Sequence, residues 1–379
     1  MKSKFIGTAV LILGLVVLPV GVLSASGSSS AKAVSTSPFL STLGAPTSLA
    51  STVPSNGDVN PYGVAIVTKS VGDLVAGSTL VSNFNDRANV QGTGMTIVEV
   101  SPSKHVSVFA TITNHTTGFK CPGGIGLTTA LNILPGGWVI VGSIGAGAHG
   151  TLPNAKPAGC LIVVNNQGVV KTVWTNPFLN GPWDMAAVVK GSTAQLYVSD
   201  VMPLTRSLTI PRISENCEVV RVDVQLKGEQ TPNINSYAVL AKALSCRPDK
   251  ASFVLGPTGI TISANGTAYV AETIANEIFS IPLASTRTTP IVVSQNIYSR
   301  GGVLRNPLGL AMAPNGDVLA LNASNGSVVE IDSTGKQVAS KILVRNGSGA
   351  LFGLSVTPNG TSLQFVNDIA NTLEVATGR

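Results

Sequence analysis

Residues 256–282 read GPTGITISANGTAYVAETIANEIFSIP: an apolar run, a two-residue turn, a second apolar run, a polar loop and a third apolar run. Two further copies follow, NPLGLAMAPNGDVLALNASNGSVVEI at 306–331 and ALFGLSVTPNGTSLQFVNDIANTLEV at 350–375. The turns Asn265-Gly266, Asn315-Gly316 and Asn359-Gly360 stand at the same distance from Gly259, Gly309 and Gly353. Asn-Gly between short apolar runs predicts a hairpin, because both residues tolerate the positive φ of a type I′ turn. The periods, 50 residues from Gly259 to Gly309 and 44 from Gly309 to Gly353, suit the blades of a propeller rather than a helical solenoid. The fold class expected is all-β, a six-bladed β-propeller.

The units resemble the NHL-repeat family of propellers. The resemblance rests on Pro257-Thr258-Gly259 and Pro307-Leu308-Gly309, the Asn-Gly turns and the Asn-rich loop before the third strand. It is good over 256–379 and weaker over 60–230. The family's acidic residue after the second strand is matched by Glu272 and Asp368, whereas Asn322 departs. It implies an architecture that hosts many functions.

Lys2 and Lys4 precede an apolar run from Phe5 to Leu23, and small residues follow. This is the pattern of a secretory signal peptide over 1–33, with cleavage near Ala31-Lys32-Ala33 or Ser24–Ser26; the structural alternative is an uncleaved membrane anchor. The mature protein is then expected to be secreted, periplasmic or extracellular. Residues 34–59 form an N-terminal segment, and 60–379 the propeller. The last repeat ends after its third strand, so Phe39–Leu43 is expected to close the ring as a fourth strand.

The net charge of +6 falls to +3 once Lys2, Lys4 and Lys32 are removed, 21 basic against 18 acidic residues. Charges are sparse and interspersed, so nucleic acid is not an expected partner; a monomer is expected. Cys121, Cys160, Cys217 and Cys246 allow three pairings in an oxidising compartment. Cys160 and Cys217 open equivalent runs, and each has a cysteine in the nearest inter-blade connection. That placement predicts Cys121–Cys160 and Cys217–Cys246.

The segments Ser82–Gly94, Ile144–Gly159 and Asp200–Asn216 are expected as long second-to-third-strand loops of blades one to three, on the face of the inter-blade connections. Their counterparts in blades four to six are short. Long loops on a rigid scaffold carry binding. Asp184 stands where other blades have Gly63, Gly126, Gly259, Gly309 and Gly353, and it follows Trp183. A carboxylate there could bind a divalent cation such as calcium or orient a polar ligand; the alternative is a carboxylate satisfied by backbone N–H groups. Asn83, Asn85 and Asp86 make an oxygen-rich run whose alternative is an Asx-turn network. His149, in a glycine-rich loop, completes the candidates, while His105 reads as a solvated turn. No G-x-S-x-G elbow, Walker loop or HExxH occurs.

These features lead to a non-catalytic binding protein that takes a protein, glycan or small molecule on the rim of blades one to three. The alternative is a metal-dependent propeller enzyme, a lactonase or lyase, acting at the central channel.

Overall fold

The computed structural model describes residues 37–113, 119–145, 159–202, 213–249 and 252–379. The expected signal peptide lies outside them. Six antiparallel sheets follow one another as the blades of a propeller. Blade one comprises Val59–Ile66, Thr79–Asn85, Gln91–Val100 and Val106–Thr111, and blade two Leu131–Leu134, Trp138–Ser143, Cys160–Val164 and Val170–Trp174. Blade three comprises Pro182–Lys190, Thr193–Asp200, Ser214–Lys227 and Gln230–Asp249, with Phe253–Leu255 as a fifth strand. Blade four runs through Pro257–Ile262, Ala268–Glu272, Glu277–Ile281 and Ile297–Arg300. Blade five follows with Pro307–Met312, Val318–Asn322, Ser327–Ile331 and Gln337–Ile342. Blade six holds Leu351–Val356, Ser362–Asn367 and Thr372–Thr377.

The blades pack through apolar faces. Leu319, Leu321 and Val328 of blade five meet Leu354, Leu363 and Phe365 of blade six in one buried cluster. The equivalent seam between blades two and three is filled by Ile140, Leu161, Leu196 and Val220. The first strand of every blade is an edge strand of its sheet, and these six edges surround the channel. The glycine register is explained by their closeness: a Cβ at Gly259 would strike the Leu308 carbonyl, and one at Gly353 the Tyr62 carbonyl.

The Asn-Gly turns form where expected, but not as type I′. Only Gly266, Gly316 and Gly360 have positive φ. The Asn keeps ordinary backbone angles and uses its side chain instead: Asn265 Oδ1 accepts the Thr267 N–H at 3.0 Å, and Asn315 and Asn359 accept those of Asp317 and Thr361 at 3.2 Å. The turn is thus a longer one closed by a left-handed glycine and an Asx bond.

The ring is closed by an N-terminal strand, but not by the residues expected. Thr47–Ser51 pairs antiparallel with Thr372–Thr377, Thr47 opposite Val375. Phe39–Thr42 is a single helical turn. Its apolar side chains recur at 39, 40 and 43, a helical spacing that a strand would split between two faces. The turn is held by a buried carboxylate of blade five. Glu330 accepts the N–H groups of Phe39 at 2.6 Å and Leu40 at 2.7 Å, and Asn315 Nδ2 donates to it at 2.8 Å. Lys341 donates to the Leu43 carbonyl at 2.9 Å, and Phe39, Leu40 and Leu43 are buried between blades five and six.

Ser82–Gly94 is not a long loop. The second strand continues to Asn85 and the third begins at Gln91. Polar residues made this segment read as loop, yet Ser82, Asn83 and Asn85 are buried strand residues whose side chains bond locally. Both disulfides are those expected, with Cα separations of 5.5 Å for Cys121–Cys160 and 6.1 Å for Cys217–Cys246. Cys246 lies within the outer strand of blade three rather than in a connection.

Candidate channel site

Asp184 occupies the glycine register. Its N–H donates to Ser199 Oγ at 3.2 Å, as Gly63 donates to Ser82 at 2.9 Å and Gly126 to Ser143 at 3.1 Å. Blade three can carry a side chain here because that side chain bridges the seam. Asp184 Oδ2 accepts the Ile260 N–H of blade four at 3.1 Å, and Oδ1 accepts the Met185 N–H at 2.8 Å. The alternative reading, a carboxylate held by backbone donors, is therefore realised in the geometry.

The carboxyl also faces a cavity. Inner-strand residues of all six blades enclose a space of about 460 Å³. Among the described residues, Asp184 is the one acidic or basic residue lining it. At the inter-blade end the space is shut: Tyr62, Trp183, Leu308 and Phe352 are buried in a single apolar cluster. The Tyr62 ring lies edge-on to Trp183 with centroids 5.5 Å apart and tilted to Phe352 at 5.3 Å. Toward the hairpin turns the lining residues Thr68 and Pro358 are exposed, so the cavity opens on that face, with Asp184 and Tyr62 near its blind end.

Depth sets the electrostatics. Asp184 retains some surface toward the cavity, but it is surrounded by protein, and loss of hydration pushes its carboxyl up to about 7 despite the two N–H groups that favour the ion. Tyr62 is raised well above its usual value, first by burial and then by the neighbouring Asp184 charge. The Trp183 indole N–H donates to the Tyr62 oxygen, which leaves the phenol proton to be donated elsewhere. Trp183 itself is part of the plug, not an exposed ligand platform.

The other candidates are elsewhere. Asn83 Nδ2 donates to the Thr52 carbonyl at 2.7 Å, and Asn85 Nδ2 to Asn89 at 2.7 Å. Asp86 accepts the N–H groups of Ala88 and Val90 at 3.0 Å, an Asx turn. None of the three lines the channel cavity. His149 lies outside the described residues, and His105 is exposed in its hairpin. Tyr62, which Pro61-Tyr62-Gly63 puts in the register of Trp183, belongs to the same plug, a part of the channel that sequence reasoning passed over.

A divalent cation finds no ready ligand set. Among the described residues no group of three or more His, Cys, Asp or Glu is placed to hold a metal, and both Asp184 oxygens already accept backbone N–H groups. The described residues do not make up a dedicated metal centre.

Among the other buried carboxyls, Asp200, Glu218 and Glu272 lie outside the cavity lining. Asp200 accepts the N–H groups of Asn180 at 2.7 Å and Gly181 at 2.9 Å and is pushed up to about 8 by burial. Its opposite number across the strand pair, Glu218, is raised to about 7, again by burial. Glu272 is 3% exposed, neither of its oxygens has a hydrogen-bond partner, and burial followed by the Glu277 charge raises it to about 8. In register the counterpart of Glu272 in blade six is Asn367, since Pro257 faces Glu272 and Leu351 faces Asn367. Asp368 is one residue further on.

No protein-family model matches the sequence, and no curated protein is significantly similar to it. Solved structures share its fold. A structural-genomics target described as a gluconolactonase is 14% identical, with 90% of this chain and 96% of that one covered and a TM-score of 0.56. A gluconolactonase from Xanthomonas campestris is 12% identical over 88% of this chain and 89% of its own, with a TM-score of 0.53. Regucalcin from Agrobacterium tumefaciens, described as a calcium-binding protein, is 12% identical over 89% and 96%, with a TM-score of 0.52. At these identities the likeness is one of fold. The chain is a six-bladed β-propeller whose structural neighbours are of the gluconolactonase and regucalcin kind.

This corrects the expectation of a non-catalytic binding protein working from the rim of blades one to three. The neighbours are enzyme-type propellers, and the channel cavity opens on the hairpin face, away from that rim. The rim drew attention because polar insertions look like ligand loops, but in blade one the insertion is largely strand.

Proposed function

We propose that the protein is an exported propeller enzyme that hydrolyses a small ester or lactone in the channel cavity, with Asp184 as the acid–base group. The Pro-x-Gly entries and Asn-Gly turns of its last blades support reading them as NHL-like units. The observation that carries the reading is a single carboxyl, poised near neutrality, close to the blind end of a cavity that no other charged group among the described residues lines. A general base works best with a pKa near the working pH, and a lone carboxyl in an otherwise neutral cavity supplies one.

In the ionised form Asp184 takes a proton from a water as the oxygen adds to the substrate carbonyl carbon. The Met185 and Ile260 N–H groups fix the carboxylate in place while it does so. The Tyr62 and Trp183 side chains, buried in the plug, keep bulk water from reaching the carboxyl from behind. The carboxylic acid then returns the proton to the departing alkoxide, which opens the ring or frees the alcohol. No net charge is left on the protein, and the chemistry needs no redox partner.

The test is hydrolysis of a panel of neutral lactones and methyl esters by the native protein and by Asp184→Asn. Activity should rise with pH through a midpoint near 7 and be abolished by the substitution. Equal turnover by the two proteins would sink the assignment.

A further inference from the structure

The channel cavity is not closed at its side. Ala187 and Ile262 line it and also line a groove of about 450 Å³ over the seam between blades three and four. That groove continues through Val188, Lys190 and Ser285 into a second depression of about 270 Å³ that ends on Gln195 and Asp223. The near part carries an apolar stripe beside the polar Ser263 and Asn265: Val188 and Ile262 are half-buried, and Val189 is 42% exposed. The far part carries one uncompensated charge. Asp223 is satisfied by Arg221 at 2.9 Å, Ser236 at 2.6 Å and Gln195 at 2.8 Å, contacts that hold its carboxyl below the usual range. Lys190 is exposed and forms no ion pair among the described residues.

We propose that this seam groove is the acyl-arm subsite of the channel enzyme, and that its substrate is elongated: a reacting ester or lactone in the cavity, an apolar arm over Val188 and Ile262, and an anionic end at Lys190. From Asp184, where the ester reacts, to Lys190 the strand advances about 20 Å, the reach of a long alkyl chain. Covering the exposed valine and the isoleucine removes apolar surface from water. An anion at the far end meets a lysine whose charge nothing else offsets, while the Asp223 charge is already shared among three donors. A cationic end would face Lys190 directly and be repelled. The subsite rests on the channel reading for its reaction but not for its binding.

Two measurements separate these. Binding is read by calorimetry with the monoamide of hexadecanedioic acid, which has the arm and the carboxylate but no ester. Turnover is read with monomethyl hexadecanedioate and methyl acetate. The native protein should bind the monoamide. Lys190→Glu should weaken binding at least about fivefold, as expected for reversing one surface charge, and Lys190→Arg should retain it. Lys190→Glu should lower kcat/KM for monomethyl hexadecanedioate, relative to that for methyl acetate, by a similar factor. Monoamide binding that is absent, or equal in the native and Lys190→Glu proteins, overturns the subsite. Binding that follows this pattern with no ester turnover at all overturns the hydrolase reading and leaves the groove standing.

Discussion

Replacing Glu330 tests how the N-terminal segment is fastened to the ring. The carboxylate is fully buried and accepts two backbone N–H groups and the Asn315 amide. Hydrogen bonds to a charged group are worth about 1.5–3 kcal/mol each, and leaving buried donors unpaired adds to the loss, so Glu330→Ala should cost roughly 3–5 kcal/mol. Glu330→Gln is the sharper variant. Its oxygen can still serve one of the two N–H groups, but its NH₂ confronts the other, so about 2–3 kcal/mol should be lost without any change in shape. The loss should fall first on residues 37–51, which release Phe39, Leu40 and Leu43 from the seam between blades five and six. Amide hydrogen exchange is the assay. Protection at Phe39 and Leu40 should drop about a hundredfold in Glu330→Ala, the equivalent of roughly 3 kcal/mol, while the innermost strand of blade three is unaffected at first. Unchanged exchange at those two amides in both variants would refute the account of the clasp.

Three other outcomes are expected. Glu272, buried with no hydrogen-bond partner and raised to about 8, holds its proton in the folded protein over a range where the unfolded chain has lost it; stability from this group is therefore present at acid pH and falls between about pH 4 and 8. Glu272→Gln should accordingly stabilise the protein by roughly 2–4 kcal/mol at pH 8.5, with the gain gone by pH 4 in denaturant titrations at the two pH values. Removing Cys121–Cys160 or Cys217–Cys246, which close 39 and 29 residues of sequence, should cost about 3–4 kcal/mol each, measured by the same titrations with and without reductant. Tyr62→Phe, which removes the buried oxygen that accepts the Trp183 indole N–H inside the plug, should cost about 1–3 kcal/mol of stability in the same titrations; an unchanged midpoint would remove that bond from the account of the plug.

Much of this architecture was legible because the last three units repeat without gaps. Once Gly259, Gly309 and Gly353 set a register, Asp184 stood out as the residue out of place, and the hydrogen bonds to Ser82, Ser143 and Ser199 place it in that register. The cysteine pairing followed from the same comparison of equivalent positions. The closing strand was missed for a physical reason: Thr47–Ser51 is outermost in its sheet and half exposed, so it carries no apolar alternation to read. The chemistry of the channel was missed for another. Which mouth is plugged depends on side chains from different blades, Tyr62, Trp183, Leu308 and Phe352, that meet only once the ring is formed.

That closure has a consequence for how the molecule is made. Thr47 and Val375 are partners in one sheet, so the segment synthesised early and the segment synthesised late must find each other before blade six exists. Five sheets can assemble as the chain emerges, but the sixth waits for nearly all of it, and until then the edges of blades one and six stay open. A molecule built this way finishes folding in a single late step, and a circular permutant that joins Thr47–Ser51 directly to Thr372–Thr377 by a short turn would convert that step into a local hairpin and fold faster.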